Sequence, residues 1–510
     1  MAPMPSLASF VPARYHAHCT VAGGFLLHLT LGTLYSIGNL NPYWASYMRA
    51  VHCGEAYATC ESDGGVTNTE MVWVLNAATA TQACTMFVGG GLQHRIGPRQ
   101  TALLGGLIAS AGVALSYIPL RSGSFVGLVL TAGVLFGVGV GIAYTPPMVL
   151  AMRWWPRQKG LINGIVVGGF GLGALIFDNV QTLYVNGADA KPTPGLYPRV
   201  DVAQKYFTMA QVARTPALML LLGAVYSALQ LVGCSLLVVP PAELEQDPGS
   251  KQALMGSGGG GGEDDDRGDS AGAAAAVDPH PALLSKSPSA SCSGGSSSRD
   301  LTPREMIRQP RFWVLWGSFA LNAFAISFTA GLFKVYGEDR LISDSFLGSV
   351  VGPLSSLFNA GARVFWGRME DRYGFSRCML AMQLLMAALM ATWTLTDNVA
   401  PGHFPGAAHT GATANKVLYL VWVCLIFFCI GGNFSLFPTA TTKAFGMSHA
   451  GANYGAVFTS LVPSNIIGGF ITKPLKDALG WGKTSLVIAG LSLIGGLLGA
   501  SFDRVGKKSV

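Results

Sequence analysis

Long apolar runs recur along the chain, each about as wide as a bilayer, with short polar segments between them. A helix needs about 20 apolar residues to cross the hydrocarbon core. Twelve runs have that length, roughly 19–48, 69–91, 99–119, 124–152, 159–184, 211–240, 309–337, 345–366, 376–397, 415–442, 452–474 and 484–502. They are numbered here as spans 1 to 12. The pattern predicts an all-α polytopic membrane protein with twelve transmembrane helices. An even count puts both termini on one side.

The polar segments carry charge unevenly. Arg95 and Arg99 follow span 2, Arg153, Arg157 and Lys159 follow span 4, and Arg368, Arg372 and Arg377 follow span 8. Arg504, Lys507 and Lys508 end the chain. The positive-inside rule assigns all of these, and both termini, to the cytoplasmic side. The loop after span 1 sets Glu55, Glu61, Asp63 and Glu70 against Arg49, which suits the opposite face.

Two stretches repeat. Gly432 to Gly455 superimposes on the region around the hinge Arg153-Trp154-Trp155-Pro156-Arg157-Gln158-Lys159-Gly160 after a shift of 291 residues. Gly141 then falls on Gly432, Pro147 on Pro438, Trp154 on Phe445, Gly160 on Gly451 and Gly164 on Gly455. The pattern Gly-x4-Arg-x-Gly occurs at Gly90, Arg95 and Gly97 and again at Gly367, Arg372 and Gly374. Matching punctuation implies duplication into two pseudo-symmetric six-helix bundles, and in a membrane protein duplication points to a transporter. The expected division is 1–240 and 304–510. Residues 241–303 between them hold glycine, acidic, alanine and serine runs that can bury no core, so a disordered cytoplasmic linker is expected there.

Composition agrees with a membrane protein. Half of the residues are hydrophobic and only 12% are charged, against about a quarter charged in a soluble domain. The formal charge of +7 is spread over short loops and gives no reason to expect nucleic-acid binding. The nine cysteines show no metal-ligand spacing, and neither a metal nor a cofactor is expected. Cys53 and Cys60 share one polar loop, as a disulfide or as two free thiols. No cleavable signal is expected ahead of span 1.

These residues resemble the major facilitator superfamily. The two Gly-x4-Arg-x-Gly loops are similar to its signature loop, with Asp371 the expected acid in the second copy and His94 in its place in the first. Within the superfamily, RWWPRQKGLINGIVVGGFGLGA, EMIRQPRFWVLW and NYGAVFTS resemble the oxalate:formate antiporter family. Arg363, eight residues before Asp371, matches the span-8 arginine of the related monocarboxylate transporters, and Asn359 takes the place of the acid that pairs with it. Leu461 stands where dicarboxylate exchangers carry a span-11 lysine. Ile37-Gly38-Asn39 occupies the region of the span-1 lysine of monocarboxylate transporters. The resemblance thus implies one main fixed cation, Arg363, with Lys334 at the end of span 7 as a possible second.

An arginine inside the bundle is costly and therefore a functional hypothesis, and its planar fork suits a carboxylate. The competing reading is an interfacial anchor. His28, Gly32, Tyr35 and Asn39 share one helical face of span 1, which either lines a polar cavity or bonds between helices. Tyr144 and Pro147 lie in span 4, where Pro146-Pro147 is expected to break the helical ladder, as a functional or a packing kink. Asn322 on span 7 and Ser460 on span 11 complete the candidate substrate set. Asp178, the one carboxylate well inside an apolar span, and His28 are the candidate proton carriers; Asp178 also fits the outer water boundary. Gly90, Arg95, Gly97, Arg153, Trp154, Pro156, Gly160, Gly367, Asp371, Arg372 and Gly374 are the candidate gating residues.

The leading expectation is a monomeric secondary transporter of small monocarboxylates (pyruvate, lactate, formate) by proton symport or anion exchange. The alternatives are a carrier of another solute such as an amino acid, and a non-transporting sensor on the same scaffold. No nucleophile–base set argues for an enzyme. The membrane is that of the cell or of an organelle.

Overall fold

In the computed structural model, residues 10–54, 66–67, 70–187, 192–194, 196, 205–241, 300–339, 346–397 and 408–508 are described. The linker expected over 241–303 lies almost wholly outside them. Cys53 is disulfide-bonded; Cys60 lies outside the described residues.

Each expected span is helical. Span 1 is two helices, His16–Leu31 and Ile37–Cys53, joined by a tighter turn at Gly32–Ser36. Spans 2 and 3 are Val72–Ile96 and Pro98–Leu115. Span 4 passes from a wide-turn segment, Val129–Leu135, into Phe136–Trp154. Spans 5 and 6 are Lys159–Asn186 and Thr215–Leu236. Spans 7 to 10 centre on Pro310–Asp339, Gly352–Tyr373, Phe375–Ala391 and Ala408–Phe445. Span 11 begins at Ala450–Phe458 and continues into Leu461–Ala500, which also contains span 12. Gly480 divides the two, with φ 72° and ψ 172°, a backbone only glycine adopts freely.

Among the described residues, eight helical runs are long and apolar enough to cross a membrane on their own. Spans 2, 8, 9 and 11 are not among them. Spans 2, 8 and 11 turn polar positions toward partner helices, and span 9 is short. Spans 1–6 form one bundle and spans 7–12 the other. Between them, span 5 packs on span 8 and span 2 on span 11.

Both crossings are made by the repeated glycines. A Cβ on Gly160 would stand 2.2 Å from the carbonyl oxygen of Gly367, and one on Gly90 would stand 2.1 Å from the amide nitrogen of Ala452. No side chain fits at either point, so the backbones touch. The two contacts are counterparts in the two repeats, Gly160 matching Gly451 at a shift of 291 and Gly90 matching Gly367 at a shift of 277.

Pro146 and Pro147 lie inside the helix Phe136–Trp154, which continues past them. Proline removes the N–H that would serve Ile142. Gly89 of span 2 lies so close to that carbonyl that its Cβ would be 2.4 Å away.

Candidate functional site

The hinge ends one helix and starts another. Trp155 precedes Pro156 and leaves the helical region (φ −130°, ψ 74°). The Trp154 indole donates to the carbonyl of Val238, 2.9 Å away, tying span 4 to the end of span 6. Span 5 then begins with unpaired amides. Gly160 and Leu161 donate to the two carboxylate oxygens of Asp371, at 3.0 and 2.8 Å. Lys443 donates to Asp371 at 2.9 Å and lies 3.9 Å from the buried Glu370. An acid of one bundle thus caps a helix of the other, where the helix dipole favours negative charge. Gly374 (φ 81°) and Gly97 (φ 87°) turn the two signature loops.

The matching contact in the first copy is built differently. His94 packs on His449, with ring centroids 4.9 Å apart and Arg153 nearby. Burial, together with the charges of His449 and Arg153, holds His94 below the usual histidine range. His449 is the N-cap residue of Ala450–Phe458 and makes no side-chain cap bond.

Arg363 lies at the centre, fully buried. It follows Asn359 by one helical turn, and that spacing lets its Nε and Nη2 donate to the Asn359 side-chain oxygen at 3.2 and 3.1 Å. Nη1 donates to the carbonyl of Val167 on span 5, 3.1 Å away. Asn359 is held in turn by donating to Phe427, 3.2 Å away. The guanidinium has five N–H donors, and two remain beyond these bonds. Its Cζ lies 4.8 Å from the centre of the Phe434 ring and 5.5 Å from that of Phe170, two cation–π contacts. Among the described residues no carboxylate pairs with it.

Aromatic rings from six spans surround this cation. Phe170 meets Tyr35 at 5.6 Å and Tyr144 at 5.5 Å. Phe458 meets Tyr144 at 6.2 Å, Tyr454 at 5.7 Å, Phe319 at 5.8 Å and Phe434 at 6.3 Å. The phenols of Tyr35, Tyr144 and Tyr454 all lie within electrostatic reach of Arg363. The Tyr144 and Tyr454 hydroxyls are buried without a well-formed hydrogen bond. His28 lies behind Tyr144, ring centroids 4.9 Å apart.

The structure therefore gathers Arg363, Asn359, Tyr35, Tyr144 and His28. Tyr454, Phe170, Phe434 and Phe458 join them unforeseen. Tyr454 belongs to a motif already noted, but a lone aromatic in an apolar span reads as packing. Asn39 stands apart, donating to Gln181 at 3.1 Å and to the Asp178 carbonyl at 3.3 Å. Asn322 donates to Asn433 at 3.4 Å inside the second bundle. Ser460 is buried with its hydroxyl unpaired. Asp178 is half-buried beside Ser36. The side chain of Lys334 lies outside the described residues.

The model of the Major Facilitator Superfamily matches residues 25–469. The chain is 30% identical to apicoplast pyruvate carrier 1 of Toxoplasma gondii, over 92% of this chain and 85% of that one. It is 25% identical to the oxalate:formate antiporter of Oxalobacter formigenes, over 80% and 76%. The human organic anion transporter MFSD10 (TETRAN) shares the fold, with TM-score 0.56, 14% identity and coverage of 96% and 99%. On this match and on its two bundles, the chain belongs to the major facilitator superfamily.

Proposed function

We propose that this transporter carries small monocarboxylates of the pyruvate class by alternating access. Arg363 carries the reading, as a buried guanidinium with no carboxylate partner among the described residues and two N–H donors left, ringed by aromatic side chains of both bundles. A carboxylate can take both donors in parallel, and the rings can take its short carbon chain. Asn359 accepts like an acid but adds no charge, so the site holds one positive charge among the described residues. A monoanion neutralises it. A dianion would bury an unpaired charge, at a cost of several kcal/mol. The similarity to a pyruvate carrier supports the same substrate class.

The face carrying Arg95, Arg153, Arg157 and Arg372 is cytoplasmic in this reading, and the protein acts as a monomer. The test is uptake of labelled pyruvate by the purified protein in liposomes. Arg363→Ala abolishes it, Arg363→Lys weakens it, and Leu461→Lys shifts preference toward oxalate. If oxalate competes as well as pyruvate with the unmutated protein, or Arg363→Ala transports normally, the single-cation site is wrong.

A further inference from the structure

His28 is fully buried on span 1. Its Nδ1 lies 2.9 Å from the carbonyl oxygen of Gly24. A carbonyl only accepts, so Nδ1 carries the ring hydrogen and donates it. In the neutral ring Nε2 is then a bare acceptor. It is buried without a hydrogen-bond partner, and the ring packs edge-on against the Tyr144 ring, centroids 4.9 Å apart. Nε2 is therefore the one lone pair of the buried ring left open to a proton.

The groups around the ring decide when that proton binds. Among the described residues, the titratable groups facing it are Arg363 from span 8 and Tyr144 from span 4. Span 5 brings Gly169 and Gly173 against this stretch of span 1, and span 6 brings Gly233 and Gln230. None of these ionises. Asp178 lies beside Ser36, eight residues and so about 12 Å further along span 1. Arg363 is therefore the charge that faces the ring, and like charges repel. A carboxylate seated on Arg363 offsets that repulsion. Anion and proton then favour one another, and the coupling is reciprocal.

Resting on the carboxylate reading of Arg363, we propose that His28 Nε2 is the binding site of a co-transported proton. The carrier then moves one proton with one monocarboxylate, without net charge. The proton comes from water on the entry side, sits on the Nε2 lone pair during the crossing, and returns to water on the exit side. No bond of the substrate changes.

The experiment uses the full-length protein in liposomes with labelled pyruvate as probe. Three quantities are read: pyruvate/pyruvate exchange at equal pH, accumulation under an imposed gradient of one pH unit, and proton entry by an internal dye. One-to-one coupling gives about tenfold accumulation per pH unit, one proton per pyruvate, and no response to an imposed potassium diffusion potential. His28→Gln, which cannot take up a proton, should still exchange but should not accumulate above about onefold. Asp178→Asn should accumulate like the parent. Exchange without accumulation in the parent protein overturns the proposal, as does tenfold accumulation by His28→Gln or loss of coupling in Asp178→Asn instead. The dye measurement on the parent decides the matter if His28→Gln does not fold. Absence of both exchange and accumulation in the parent refutes the carboxylate reading itself.

Discussion

Asp371 offers the largest single perturbation of the cross-bundle contact. Its carboxylate takes two amide hydrogens from the first turn of span 5, at 3.0 and 2.8 Å, and an ammonium at 2.9 Å. A hydrogen bond to a charged group contributes about 1.5–3 kcal/mol net. The helix dipole adds about 0.3–1 kcal/mol. The Lys443 side chain is 37% exposed, so that ion pair adds only about 0.2–1 kcal/mol. These terms overlap, and about 2–4 kcal/mol is a fair total for the carboxylate. At about 1.4 kcal/mol per tenfold, Asp371→Ala should raise the population open on this face by about 30- to 1,000-fold. Ser435 reports it, being fully buried where the side chain of Asn163 crosses to its carbonyl at 3.0 Å. With Ser435→Cys in a background lacking the other free cysteines, maleimide labelling should accelerate by that factor until the open form dominates. Asp371→Asn keeps one acceptor and should fall between. A labelling rate for Asp371→Ala within twofold of the parent would refute the idea that this cap holds the face shut.

Asn359→Asp should place an acid 3.1–3.2 Å from the guanidinium with its geometry intact. Substrate then competes with a built-in carboxylate, and the KM for pyruvate should rise at least about tenfold with melting unchanged, as titrated uptake will show. Gly164→Ala directs a Cβ to 2.2 Å from the carbonyl of Arg363, whereas Gly168→Ala meets nothing nearer than 3.7 Å. The first should destroy transport and lower the melting temperature, and the second should leave both near the parent. His94 is held below its usual range in the closed contact, so the contact favours the neutral ring. Its contribution is complete above the unperturbed value of about 6.5 and is lost as pH falls below it. Labelling of the Ser435→Cys reporter should therefore speed up on acidification, and His94→Gln should flatten that dependence.

The sequence determined the spans, their number, the repeat and the glycines of both crossings. Each is written in local pattern: apolar length fixes a crossing, and a glycine where two backbones must touch admits no substitute. It also marked Arg363, because a charge in an apolar run is too costly to be incidental. It could not say which polar residues stand around that charge. Asn39 shares a helical face with Tyr35 yet binds span 5, and Asn322 turns into its own bundle. Tyr454, Phe170 and Phe434 looked like ordinary packing residues and lie at or near the cation. The prolines of span 4 remove backbone donors as the local rule says, and only the packed structure shows Gly89 of another helix lying against the Ile142 carbonyl. Which residues meet Arg363 depends on how spans 1, 4, 5, 10 and 11 rotate against span 8. That rotation is set by side chains hundreds of positions apart, and only the packed structure decides it.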